Sequence, residues 1–307
     1  MKEHSRYEMN ACGSLIKRNV SMFFKDKGTF FTSLITPIIL LVLYVTFLYN
    51  VYEDAFRSQV QGLPIDDSLI QGLVGGLLLS SLLAVSTVTV PFCANLFMVQ
   101  DRVTGARADL SIAPVKPSSI ALGYYIATVI NGLIISFVAL FMGLIYLSII
   151  GWYLSFADVL MLVLDVSLLV LFGTALSSLV CYPLNSQGAM SAVGTIVSAG
   201  YGFICGAYMP ISSFSKALQN TLVFLPGTHG TSLLRNHALT GVFETMEAQN
   251  IPKEAIDGLR MAGDCKLSFF GHNVELWVMY LVLIGAIVLL VTVFMLITTL
   301  SERKNRK

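Results

Sequence analysis

The chain has 307 residues, 55% of them hydrophobic and only 12% charged, with a mean hydropathy of +0.76. A water-soluble core does not need so much apolar side chain, so a soluble globular protein is excluded and an all-α integral membrane protein is expected. The net charge of +1 says nothing useful about partners; no nucleic acid is expected among them.

Crossing the hydrocarbon core takes roughly 20 apolar residues in a helix. Residues 1–28 are read as a tail carrying an amphipathic interfacial helix over Ser14–Lys27, with Leu15, Ile16, Val20, Phe23 and Phe24 on one face. The first span is Thr29–Tyr49. It lacks a small-residue cleavage site and is too long for a signal peptide, so it is read as a retained span. A short loop leads to the second span, Leu73–Met98. The connection over 99–119, QDRVTGARADLSIAPVKPSS, is broken by Gly105, Pro114 and Pro117, and a short helix is expected from about Thr104 to Ser111. The third, fourth and fifth spans are Ile120–Ile150, Asp158–Cys181 and Gln187–Met209, completing a membrane unit over 29–209. Ser155 and Asp158 make a capping box at the start of the fourth.

Residues 210–275 are read as an external cap: a re-entrant or interfacial helix over Ser213–Leu225, a stop at Pro226–Gly227, a second short helix from Thr231, and a third over Ile251–Ala262. His229 and His237 are expected as solvated loop histidines, and Cys265 as a lone surface thiol. Residues 276–307 hold the sixth span, Leu276–Leu300, and a basic tail.

Thirteen of the nineteen lysines and arginines fall in the N-terminal tail, the 99–119 connection and the C-terminal tail. Positive segments stay in the cytoplasm, so both termini and that connection are placed inside a cell (plasma) membrane.

Two spans carry small residues at intervals of four: Gly72, Gly76, Ser80 and Ala84 in the second, and Gly194, Ser198, Gly202 and Gly206 in the fifth. Such stripes let backbones approach, within one subunit or across a dimer. Asp165 is an ionisable side chain deep in a span. Its insertion costs roughly 2.5–3.5 kcal/mol, less than the roughly 4–8 kcal/mol returned by the apolar residues of its helix. It fits either a hydrogen-bonded helix contact or a cation or proton path.

Nothing in the sequence offers catalysis. There is no G-x-x-x-x-G-K-[ST] phosphate loop, no H-E-x-x-H or Cys/His metal cluster, and no G-x-S-x-G nucleophile turn. Neither an enzyme nor a bound metal or cofactor is expected on this chain.

With this layout in view, the chain resembles the permease subunits of ABC-2 type transporters over nearly its whole length. LIKRNVSMFFKDKGTFFTSLITPIILLVL looks like the family's basic interfacial helix and first span, with an early proline at Pro37. The 99–119 connection is similar to the family's E-R-E-R-G-T-x-x-x-L-x-x-x-P-V stretch. Asp101 and Arg102 take the first two places, and Gly105, Leu110, Pro114 and Val115 follow in register, while Val103 and Thr104 stand where the family has a second Glu-Arg pair. Met209-Pro210-Ile211-Ser212 looks like the family's aromatic-Pro-Leu-Ser turn. Pro226 and Arg235 match its N-P-L-T-Y…L-R pair, with His229 in the tyrosine's place. After Gly241 the outer segment is longer than in minimal members.

The resemblance implies a dimer of permeases, homo- or heterodimeric, served by two separate ATPase subunits that bind ATP and Mg. The 99–119 element would be the coupling helix, with Leu110 and Pro114 packing on the ATPase and Asp101 and Arg102 as its charge partners. Drugs, lipids, glycans and lipid-linked polymers are the family's cargo. Two other readings stay open: an ion- or proton-coupled transporter using Asp165, and a membrane scaffold that recruits a soluble protein.

Overall fold

A computed structural model describes residues 2–112 and 115–305, with side chains described for these except at 2–6, 108, 109, 111 and 301–305. Pro114 therefore lies outside the described residues. The chain is almost entirely helical. α1 (Lys2–Lys25) lies against α6 (Pro117–Ile150), burying Leu15 and Phe23. Asp26 caps the next helix, its carboxylate accepting from the Gly28 and Thr29 amides. That helix runs as α2 (Lys27–Leu43), a π-helical turn over Tyr44–Leu48, and α3 (Tyr49–Gln59). The first span thus continues ten residues past its expected end at Tyr49, to Gln59. Tyr52 and Phe56 are buried on the extension, and Glu53 and Arg57 pair along its wet side at 2.7 Å.

α4 (Asp67–Val103) is the centre of the molecule. It packs against α2, α6, α7 (Phe156–Cys181) and α8 (Gln187–Ile204) and is buried nearly throughout. α5 (Ala106–Ile112) follows through Gly105, whose φ of +84° suits glycine. Pro117 opens α6 at its first position, and the Ser155–Asp158 capping box opens α7 as expected. Gly173 of α7 sits so close to α4 that a Cβ there would stand 2.5 Å from the Thr87 carbonyl oxygen.

Among the described residues, five helical units are long and apolar enough to cross a membrane: Lys27–Gln59, Asp67–Val103, Pro117–Ile150, Phe156–Cys181 and Leu276–Leu300. The segment expected as the fifth span ends early. α8 has 18 residues, about 27 Å at the helical rise, and stops at Ile204. Gly206 is the reason. With φ at +80°, it closes a Schellman motif in which the Ala207 amide reaches the Gly202 carbonyl at 2.8 Å. Gly206 is therefore a helix terminator, not the last member of a packing stripe.

The largest departure from expectation follows. After a 3-10 turn (Ile211–Ser213) and α9 (Lys216–Val223), Pro226 does not stop a helix but opens one. At the first helical position its missing N–H is no loss. α10 (Pro226–Ala248) has 23 residues and is mostly buried, packed against α4, α7 and α12 (Leu276–Asn305). The stripe on α4 meets it there. Cβ atoms at Gly72 and Gly76 would press on Val242 and on Leu239 and the Ala238 carbonyl, while Ser80 and Ala84 are fully buried. α11 (Lys253–Ala262) and a small antiparallel hairpin, β1 (Leu267–Phe269) and β2 (His272–Val274), lead into α12.

Candidate functional sites at the ends of the helical bundle

Asp101 and Arg102 sit not in a loop but on the last turn of α4, and both side chains are used within the chain. Asp101 is buried. It accepts two hydrogen bonds from the Arg18 guanidinium at 2.7 and 2.8 Å and one from the Tyr124 hydroxyl at 2.5 Å. The bond to Asp101 raises the pKa of Arg18 and fixes its charge. Arg102 donates to the carbonyls of Tyr182 and of Leu184, the latter at 2.8 Å, and stacks over the Tyr182 ring. α4 is thereby bolted to α1 and α6 by one side chain and to the α7–α8 connection by the next.

Beyond this collar, α5 projects. Leu110 and Val115 turn inward and line a cavity of about 280 Å³ with Tyr7, Cys12, Leu15 and Ile120. Ile112, by contrast, is 82% exposed, and Val103 is also exposed. Lys116 reaches back to Glu8 at 3.2 Å. Arg18 and Tyr124 belong to this end as much as the motif residues do. Their only sequence signal was the unexplained pairing need of an acidic residue at a span's end.

At mid-bundle, Asp165 is fully buried where α7, α10 and α12 meet. His237 Nδ1 lies 2.6 Å from one carboxylate oxygen, and the Tyr280 hydroxyl donates to the other at 2.6 Å. His237 is not a solvated loop residue. Neither is His229, buried with Nε2 donating to the Val223 carbonyl at 2.7 Å. Both histidines sit on α10, which the sequence reading had placed outside the bundle.

The residues of the third sequence motif converge a little further along α10. Arg235 is 1% exposed, donates to Asp264 at 2.9 Å and to the Gly206 carbonyl at 2.7 Å. Asp264 also accepts from the Ile211 amide at 2.6 Å, just after Pro210. Ser232 and Asn236 take the Cys265 carbonyl, so Cys265 is buried rather than a surface thiol. Gly206, the turn after Pro210 and Arg235 are thus parts of one knot, Pro226 opens the helix that carries Arg235, and Asp264 is the member that sequence reasoning missed. Its backbone φ of +50° follows Gly263 at the end of α11, a turn position that carried no other signal. Of the second stripe, a Cβ at Gly202 would run into the Tyr208 ring, one at Gly194 would meet Leu96 at an ordinary 3.8 Å, and Ser198 is half-buried.

The family model for ABC-2 type transporters matches residues 10–238. The chain belongs to that family. It is a multi-pass membrane permease of an ABC transporter, a family of transmembrane components associated with ABC ATPase subunits. No curated protein and no solved structure matches it. The matched segment stops short of the near-complete coverage that the resemblance suggested, ending before Gly241. In the permease the collar at Asp101 and both α10 residues, Arg235 and His237, lie inside the match, while their partners Asp264 and Tyr280 lie beyond it.

Proposed function

We propose that this permease is the transmembrane subunit of an ATP-driven exporter, without ATPase activity of its own, working as a dimer with a second permease copy and with two separate ATPase subunits that hold ATP and Mg. In this reading α8 counts as the fifth of six spans. Both termini and α5 face the cytoplasm of a plasma membrane, and the segment 210–275 closes the outer side with re-entrant helices. Cargo would be a drug, lipid, glycan or lipid-linked polymer.

The observation that supports coupling at α5 is the collar behind it. A force delivered to the exposed Ile112 side of α5 passes through one turn to Asp101 and Arg102, and so to α1, α6, α7 and α8 at once. A rigid joint of this kind lets a nucleotide state on a partner bias the whole bundle, which is what coupling requires. Leu110 and Pro114 would then shape the docked surface, Leu110 from within.

The test is purification with the product of the neighbouring coding sequence, which this reading expects to be an ABC ATPase, followed by a screen for cargo that stimulates ATP hydrolysis. Leu110→Asp and Pro114→Ala are expected to impair ATPase assembly or transport while membrane insertion is retained. Normal transport by Leu110→Asp, or transport by the permease alone in vesicles driven by an ion gradient, overturns the reading.

A further inference from the structure

One large cavity does not belong to any site described so far. A groove of about 650 Å³ runs along the side of the bundle with α4 as its floor and α2–α3 and α6 as its walls. Phe30, Leu34 and Leu41 form one wall, and Ala139, Met142 and Tyr146 the other. Two features keep it open. Pro37 and the π-helical turn at Tyr44–Leu48 both fall on the groove wall, and π-turns recur at functional positions. The Tyr44 hydroxyl, the polar atom most able to spoil an apolar surface, is turned away to donate to the Val74 carbonyl.

The groove also has a direction. Its α6 wall, from Ile135 to Tyr146, has a length of about 17 Å at the helical rise. That is roughly half of the ~30 Å hydrocarbon core, the depth of one leaflet. One turn before Phe30, on the same face of the helix, stands Lys27, and Lys25 ends α1 beside it; both are exposed. The intervening Asp26 carries a negative charge while its oxygens accept from the Gly28 amide, the Thr29 amide and the Thr29 hydroxyl, and with two lysines beside it the mouth still carries a net positive charge. An apolar slot one leaflet deep, with two free ammonium groups at its mouth, is complementary to one kind of molecule. We infer that the α2–α4–α6 groove binds the acyl chain of an anionic phospholipid from the leaflet on the α1 side, with its phosphate held at Lys25 and Lys27. The inference needs only that the chain spans a bilayer and is independent of the transport reading.

The experiment uses the full-length permease in phosphatidylcholine nanodiscs containing a trace of phosphatidylglycerol or of phosphatidylcholine bearing an acyl-chain diazirine. After irradiation, labelled peptides are mapped by mass spectrometry. The outward strip of α12, with Leu281, Val288 and Leu289 exposed, serves as the bulk-lipid reference. The phosphatidylglycerol probe is expected to label peptides around Leu34–Leu41 and Ala139–Met142 several-fold above that reference, and above the phosphatidylcholine probe. Lys25→Gln and Lys27→Gln should each lower this preference, by up to about fivefold per lysine. Ala139→Phe, or the milder Met142→Trp, should remove groove labelling by both probes and leave α12 labelling unchanged. Equal labelling of groove and α12 means bulk lipid only and overturns the proposal. So does labelling indifferent to both lysines, or a groove unlabelled by either probe because protein covers it.

Discussion

Arg235 of α10 and Asp264 after α11 form an ion pair at 2.9 Å with both side chains almost wholly removed from solvent. They join segments twenty-nine positions apart, and Asp264 also holds the Ile211 amide. Removing one member leaves a buried, unpaired charge, which destabilises by about 3–5 kcal/mol. Asp264→Asn is therefore expected to lower the thermal midpoint in detergent sharply and expose the 205–215 turn to protease. The double change Arg235→Met with Asp264→Leu should recover part of the loss. Equal stability of Asp264→Asn and the parent would show that the pair is not holding the knot.

The Arg18–Asp101 bond offers a cleaner readout. Cys12 is half-buried on α1, whereas Cys93, Cys181, Cys205 and Cys265 are buried. Arg18→Gln or Asp101→Asn should free α1 from the end of α4 and raise maleimide labelling of Cys12 several-fold, with the helical content unchanged. If labelling stays at the parent level, α1 is held without this bond, by Leu15, Phe23 and the Glu8–Lys116 pair.

Around Asp165, replacement by Leu strands His237 Nδ1 and the Tyr280 hydroxyl, each at about 1–3 kcal/mol. Asp165→Asn keeps a hydrogen-bonding group and should destabilise less. Transport measured over a range of pH separates the readings left open by the sequence: unchanged activity and pH profile in Asp165→Asn leaves the carboxylate a helix contact and removes the proton-path idea.

Glycine positions divide sharply. A Cβ at Gly241 would overlap the Tyr153 carbonyl oxygen, while Gly188 and Gly200 have open space around them. Gly241→Ala should prevent α10 from docking and abolish monodisperse expression, whereas Gly188→Ala and Gly200→Ala should behave like the parent. Size-exclusion chromatography of the three suffices.

One pH effect lies clear of the bundle. Lys266 donates to Asp257 at 2.7 Å, which holds the Asp257 carboxyl below its usual range. A depressed carboxylate pKa adds stability above the unfolded value near ~3.9, and the gain is lost as pH falls through the lower folded value. Pepsin cleavage at Phe269–Phe270 should accordingly rise as pH drops below ~4, and Lys266→Gln should remove that pH-dependent increment.

The long spans were legible because lipid-facing helices announce themselves by unbroken apolar runs; α6 and α12 are examples. α10 was not, and the reason is chemical. Its Thr228, Ser232, Arg235, Asn236 and His237 make it look like a wet helix, yet each finds a partner inside the protein. Hydropathy scores a side chain as if it met water or lipid, and here it meets neither. Gly206 and Pro226 were seen, but with their roles exchanged: a presumed packing glycine ends a helix and a presumed stop begins one. The acidic partner Asp264 had no local pattern at all, since its meaning depends on a guanidinium from a distant element.

α4 is shielded from lipid along nearly its full length, and Ser80, Ser86, Thr87 and Thr89 each turn a hydroxyl back onto a carbonyl of the preceding turn. Such back-bonding softens a helix against bending without leaving a polar atom stranded. The permease's axle is thus an enclosed rod whose own hydroxyls leave it room to bend, with its polar atoms kept away from the greasy outer helices.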